Sequence, residues 1–361
     1  MSRSTRVVFF DPLSSLLYCL LFLLFAASPA LAQYQPGTAA GQDYSFPGSR
    51  PWDLSIRAFI GYNDNVPLVP HVTGCGTPGG GPCAPGSFYG GFSITGNYRL
   101  IQTDDWLAGV GLSFDQTAHT KNIGPACCTT DGRDFNLTSL SPSAFARYNF
   151  GFAFGRWIMP ASAGMTYTFR RDWLPPAHEG LFWQSTSNSL QWDLSVDVIR
   201  QLRLGLSYSL TFQRFNPNVT LAARDATAHS VGLSGTYSFQ GGLRTITLGY
   251  QYGTSDAGSS NFEVQNSHGI KAKFKSHIYG PVWGALEVGS TWENYKGFTA
   301  GFIPAPGREW ARVEDYGVFL YYVFTPHIQL DLFYKYTGWV SNQRQFEAHR
   351  NNGGTGVTYK F

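Results

Sequence analysis

The sequence predicts an all-β chain, folded as a transmembrane antiparallel up-and-down β-barrel of about 14 strands. Three observations carry that expectation. Apolar and polar residues alternate with period two from Pro51 to the C-terminus. The connections between these tracts alternate in length, long then short. Beyond the N-terminal segment, no apolar run reaches the ~20 residues that a membrane helix requires.

Composition agrees. Charged residues are 14% of the 361 and aromatics 16%, where an average soluble domain carries roughly 25% charged residues. Glycine is frequent at 41 and methionine scarce at 3. Strands that face lipid on one side and a polar lumen on the other produce this mixture. The net charge of +3 is too small to imply a nucleic-acid partner.

The N-terminus reads as an export signal spanning 1–32. Arg3 and Arg6 form the basic region, and an apolar stretch runs from about Leu13 to Ala27. Ala30-Leu31-Ala32 is an A-x-A site with cleavage before Gln33. Cys19 lies inside the apolar stretch behind bulky Tyr18, which argues against a lipid-modified cysteine. Residues 33–50, rich in Gly, Pro and small side chains, read as a disordered periplasmic lead-in. The barrel is expected over 51–361.

The first strand is WDLSIRAFIGY, with Trp52, Leu54, Ile56, Ala58, Ile60 and Tyr62 on one face. Asp53, Ser55, Arg57 and Gly61 take the other. The second, near 87–101, sets Phe88, Phe92, Ile94, Tyr98 and Leu100 against Ser93, Thr95, Asn97 and Arg99. After the short IQTDD turn, Trp106, Ala108, Val110, Leu112 and Phe114 share a face of the third. Further strands are expected near 136–149, 157–170, 183–197, 202–215, 227–239, 244–254, 262–277, 282–295, 312–324, 328–341 and 347–361. The tract 202–215 alternates most regularly, Leu202 to Phe212 against Arg203 to Gln213. One such strand also suits a soluble sheet. A long succession without an intervening helix argues for closure.

Connections after odd strands are long: 63–86, 118–135, 171–182, 216–226, 255–261 and 296–311. Those after even strands are short, as in VIRQ, QGGL and TPH. Long external loops over short periplasmic turns place both termini in the periplasm and require an even strand count. Cys75, Cys83, Cys127 and Cys128 fall in the first two long loops. In an oxidising compartment these pair, either as Cys75–Cys83 within one loop or as two cross-loop bonds. A Cys127–Cys128 bond is disfavoured because adjacent Cα atoms lie only ~3.8 Å apart. No His or Asp cluster accompanies them to complete a metal site, and no cofactor is expected.

The chain ends in GVTYKF, with Val357, Tyr359 and Phe361 on one face. This ending resembles that of Gram-negative bacterial outer-membrane β-barrel proteins, which close on an alternating hydrophobic strand and a terminal Phe. The resemblance implies outer-membrane localisation, recognition of these residues by the barrel-assembly machinery, and phospholipid and lipopolysaccharide as surroundings. A fainter similarity joins GYNDNV and TDDW to barrels associated with surface lipoprotein assembly or exopolysaccharide export. Those proteins often carry a periplasmic helical-repeat domain, which is not found here.

The inward set expected from the alternation contains Arg57, Arg99, Arg147, Arg170, Arg203, Lys271, Lys273, Lys275 and Lys335. Against them stand Asp53, Asp115, Asp193, Asp197, Glu263, Glu287, Glu293 and Asp331. A lipid-facing Arg or Lys costs about 2–4 kcal/mol at the midplane, which drives these groups inward. KAKFK puts Lys271, Lys273 and Lys275 in a ladder on one face. The ladder either attracts anions to a pore wall or is neutralised by Glu287 and Glu293.

Aromatic residues near strand ends are expected to form interfacial girdles: Trp52, Tyr62, Tyr98, Trp106, Tyr148, Trp157, Trp183, Trp192, Tyr208, Tyr237, Tyr250, Trp283, Trp292, Tyr334, Trp339 and Tyr359. No GxSxG, HExxH, P-loop or paired CxxC motif appears. The Ser–His neighbours His229–Ser230 and Ser267–His268 point to opposite faces if they lie on strands. The sequon Asn136-Leu137-Thr138 has no role in a bacterial outer membrane.

Three function classes follow. The first is a pore for small polar or anionic solutes. The second is an export or assembly barrel for surface lipoprotein or exopolysaccharide. The third is a structural, adhesive or enzymatic surface protein acting through its external loops.

Overall fold

A computed structural model of the chain describes residues 7–8, 50–65, 86–120, 136–174, 182–216, 225–257, 264–295, 310–342 and 347–361. Fourteen strands form a closed antiparallel barrel. They are β1 Trp52–Asn63, β2 Ser87–Gln102, β3 Trp106–His119, β4 Leu137–Phe154, β5 Trp157–Leu174, β6 Phe182–Ile199 and β7 Leu202–Phe215. The ring continues with β8 Ala226–Phe239, β9 Arg244–Ala257, β10 Val264–Tyr279, β11 Val282–Tyr295, β12 Trp310–Val323, β13 Ile328–Ser341 and β14 Ala348–Lys360. Each strand pairs with its sequence neighbour, and β14 closes the ring on β1 with Val357 opposite Ala58. The dipeptide Val7–Val8 bridges Gly151 and Phe152 in parallel and stands outside the ring.

Every expected strand is present, with shifted ends. The largest difference is at the β4–β5 hairpin, where the expected loop 150–156 shrinks to a turn at Gly155-Arg156. Phe150, Phe152 and Phe154 continue the alternation, and Phe154 pairs with Trp157. Gly155 sits at φ +60°, a conformation that tight hairpin turns need and glycine adopts without strain. Pro142, which has no N–H to donate, coincides with a gap in the β4–β5 ladder between Leu140 and Ser143.

A band of exposed hydrophobics covers the outer face, including Ile56, Val110, Leu112, Leu204, Leu233, Leu248, Leu286, Val318 and Leu332. Aromatics flank it at both ends. Trp106 packs on Tyr148 and Tyr359 on Phe361 near the short turns, and Tyr62 packs on Phe88 toward the long connections. Trp283 and Trp339 depart from the girdle expectation. They lie on the inward parity of β11 and β13 and pack in interior clusters, Trp283 with Ala285, Phe319 and Tyr321, and Trp339 with Val264, Tyr295 and Ala311. Position near a strand end misled there, because parity decides which face a side chain joins. The side chain of Trp183 lies outside the described residues.

Candidate functional site

The interior has two unlike walls. On β6–β9 most inward residues are small and neutral, as in Ser187, Ser189, Ser207, Ser209, Ser230, Ser234, Thr236 and Thr247, with Asp193, Asp197 and Arg203 as the charged members. Their hydroxyls pair across strands: Ser189 with Thr211 at 2.8 Å, Ser209 with Ser230 at 2.8 Å, and Thr236 with Thr247 at 3.0 Å. Solvent reaches this wall, since Gln191, Ser234 and Gln251 are exposed although they face inward. Toward the short turns it opens into a recess of about 620 Å³ lined in part by Pro160, Asp197, Arg203, Thr236 and Ser238.

The wall from β11 through β14 to β2 carries bulky and charged side chains that satisfy one another. The Arg57 guanidinium donates to both oxygens of Asp331 at 3.2 and 2.6 Å and lies over the Phe59 ring. Both side chains are largely shielded, at 15% and 8% exposure. Gly356 makes this pair possible, because a Cβ there would come within 2.9 Å of Arg57 and 3.0 Å of Asp331. Thr337 donates to Asp315 at 2.9 Å and Tyr89 to Asn352 at 2.6 Å. Lys335 stands over Phe319 at 5.4 Å. Phe319 and Tyr321 are buried here, and Phe333 packs against them.

The other expected lumen arginines also meet carboxylates. Arg99 meets Asp53 at 2.5 Å, Arg203 meets Asp197 at 2.6 Å, and Arg147 approaches Asp193 at 3.9 Å. Arg170 donates to Asp172 at 2.8 Å, and Ser139 donates to the same carboxylate at 2.6 Å. Asp115 accepts from Ser113 at 3.1 Å. Asp172 and Asp315 were not among the expected charges. Their inward parity was the signal available, with Asp172 two residues from the expected Arg170 on β5 and Asp315 opposite Thr337 on the next strand.

The lysine ladder resolves into three different situations. Lys273 faces Glu287 across the β10–β11 pair, with the ammonium 3.0 Å from the carboxylate. Lys275 lies over the Trp283 ring at 5.8 Å. Lys271 is exposed to the interior and forms no ion pair among the described residues. Glu293 is remote from the ladder in register, opposite Ser267, and accepts from the Tyr295 hydroxyl at 2.5 Å. Glu263 and all four loop cysteines, Cys75, Cys83, Cys127 and Cys128, lie outside the described residues.

Neither Ser–His neighbour pair makes a nucleophile–base contact. His229 Nδ1 bonds the Tyr208 hydroxyl at 2.7 Å, while Ser230 turns inward to Ser209. His268 Nδ1 bonds the Tyr250 hydroxyl at 2.7 Å, while Ser267 is buried. Among the described residues no cluster of three or more His, Cys, Asp or Glu is placed to hold a metal ion. Val357, Tyr359 and Phe361 are exposed on the outer face, and the Phe361 N–H donates to the Leu54 carbonyl at 3.0 Å.

No protein-family model matches the chain. No curated protein matches it either. Among solved structures, the chain is similar to the outer membrane channel DcaP of Acinetobacter baumannii. Identity is 11%, coverage 86% of this chain and 96% of that one, and the TM-score 0.48. It is also similar to OprD of Pseudomonas aeruginosa, at 11% identity, coverage of 86% and 94%, and a TM-score of 0.40. A FadL homologue of Pseudomonas aeruginosa shows 10% identity, coverage of 86% and 89%, and a TM-score of 0.40.

Proposed function

We propose that this chain is an outer-membrane pore for small polar or weakly anionic solutes. The observation that carries the reading is the solvent-exposed hydroxyl wall inside a closed barrel, where Ser234 and Gln251 are accessible from within, beside the exposed Lys271 of β10. Small polar linings leave a lumen hydrated, whereas a barrel meant only as a scaffold fills its interior with side chains. In this reading residues 1–32 direct export, both ends of the barrel chain face the periplasm, and the long connections face outward. Val357, Tyr359 and Phe361 serve barrel assembly, and phospholipid and lipopolysaccharide surround the apolar band.

Passage is tested by swelling of proteoliposomes in isosmotic solutions of small solutes. Swelling well above that of protein-free vesicles is expected. Vesicles that hold the folded barrel yet swell no faster than empty ones would refute the pore.

Charge preference should rest on Lys271 rather than on the whole ladder. An ammonium with no ion-pair partner among the described residues raises the local anion concentration, whereas Lys273 is already offset by Glu287. The Lys271→Gln variant is expected to lower anion preference, read as the reversal potential across a salt gradient. The neutral double change Lys273→Gln with Glu287→Gln is expected to leave it close to the unaltered value. An equal shift in both proteins would return the preference to the ladder as a unit.

A further inference from the structure

We infer that the conducting path is eccentric, running against the hydroxyl wall of β6–β9, and that it suits small neutral polyhydroxylated solutes. The inference rests on the pore reading and adds where solutes pass and of what class they are. Two observations carry it. Donors and acceptors on the opposite wall are largely consumed, by Arg57–Asp331, Thr337–Asp315 and Tyr89–Asn352. On the β6–β9 wall each hydroxyl pair uses one O–H and leaves another O–H and several lone pairs open to the lumen.

A solute rich in hydroxyls can exchange such bonds with water one at a time. Mid-height β7 and β8 carry no fixed charge, and Asp193 on β6 stands 3.9 Å from Arg147, so no unpaired charge there creates a deep well that would trap it. Conduction needs binding sufficient for entry and weak enough for release, and a row of neutral, two-way hydrogen-bonding groups meets both needs. Space is available too. Gly205 and Gly232 carry no Cβ, and the hydroxyls of Ser234 and Ser207 occupy the positions one would fill. The wall therefore lies low against the barrel backbone. The recess below it, between Pro160, Asp197, Arg203 and Ser238, continues the same track toward the short turns.

The test places bulk on either wall and measures passage through the full-length folded barrel. Ser209→Trp and Ser234→Trp are expected to lower unitary conductance and mannitol entry at least about two-fold, since an indole projects across a lumen of this strand number. Thr95→Trp, inward-facing on β2, is expected to change both far less. Should the indole variants fail to assemble, Ser209→Lys replaces them. An ammonium on the path shifts the reversal potential toward anions, while Thr95→Lys leaves it nearly unchanged.

Equal effects on both walls, or a larger effect from Thr95, would overturn the eccentric path while leaving the pore intact. Faster entry of gluconate than of mannitol, molecules of similar size, would overturn the solute class. Absence of any passage through the unaltered barrel would remove the pore reading and this inference together.

Discussion

Asp331→Ala is expected to destabilise the folded barrel by about 3–5 kcal/mol, the cost of leaving a shielded charge without its partner. Asp331 holds Arg57 through two hydrogen bonds, and β1 and β13 are bridged across β14 by that contact. Truncation leaves the guanidinium over the Phe59 ring without the carboxylate it pairs with. The check is urea unfolding of the refolded barrel in lipid, followed by electrophoretic mobility of folded and unfolded forms. The pair itself need not be net stabilising. Replacing both partners, as in Arg57→Met with Asp331→Leu, is expected to recover most of the loss. A double variant as unstable as Asp331→Ala would show that packing, rather than an uncompensated charge, sets the cost. Gly356→Val should resemble the single variant, because its side chain would intrude between the two ions.

The second large effect belongs to the outer face. Leu286 is 50% exposed on the outward parity of β11, four residues past its start at Val282, and lies opposite Phe274 and Val318. Leu286→Arg is expected to cost about 2–4 kcal/mol if this face meets the bilayer midplane, while Ile278→Arg near the short-turn interface should cost at most about 1 kcal/mol. The depth dependence is the informative part. Exposed leucines on a soluble protein tolerate arginine at either position, so similar small losses at both sites would contradict a lipid-facing band. The readout is again the unfolding midpoint in lipid, with detergent-refolded protein as the comparison.

Much of the architecture was legible because strand parity is a local property. The tract from Leu202 to Phe215 alternates so regularly that its ends and faces follow directly, and β7 occupies those residues. The unequal connections likewise separate the two ends of the barrel without any tertiary information. Boundaries were harder wherever apolar residues filled both parities. FGFAF before Gly155 reads as a loop by its glycines, yet it pairs residue by residue with the start of β5.

The interior was legible as a list and not as a set of contacts. Alternation alone marks Arg57 and Asp331 as facing the same way. Their meeting, however, depends on barrel closure and on a glycine at 356, two facts that lie far apart in sequence. The ladder shows the same gap. Lys271, Lys273 and Lys275 are equivalent in the sequence pattern, and only the β11 register, with Gly289 opposite Lys271 and Glu287 opposite Lys273, makes them different. Trp283 and Trp339 show the converse error, since aromatic identity and nearness to a strand end suggested lipid where parity places them inside.

The proposed hydrated lumen along the hydroxyl wall has one direct electrical consequence. Recording the unaltered, refolded chain in a planar bilayer should give discrete conductance steps that persist at low voltage. A chain whose mobility shows a fully folded barrel, but which stays closed at every voltage, would contradict an open interior, and with it both the pore and the path along β6–β9.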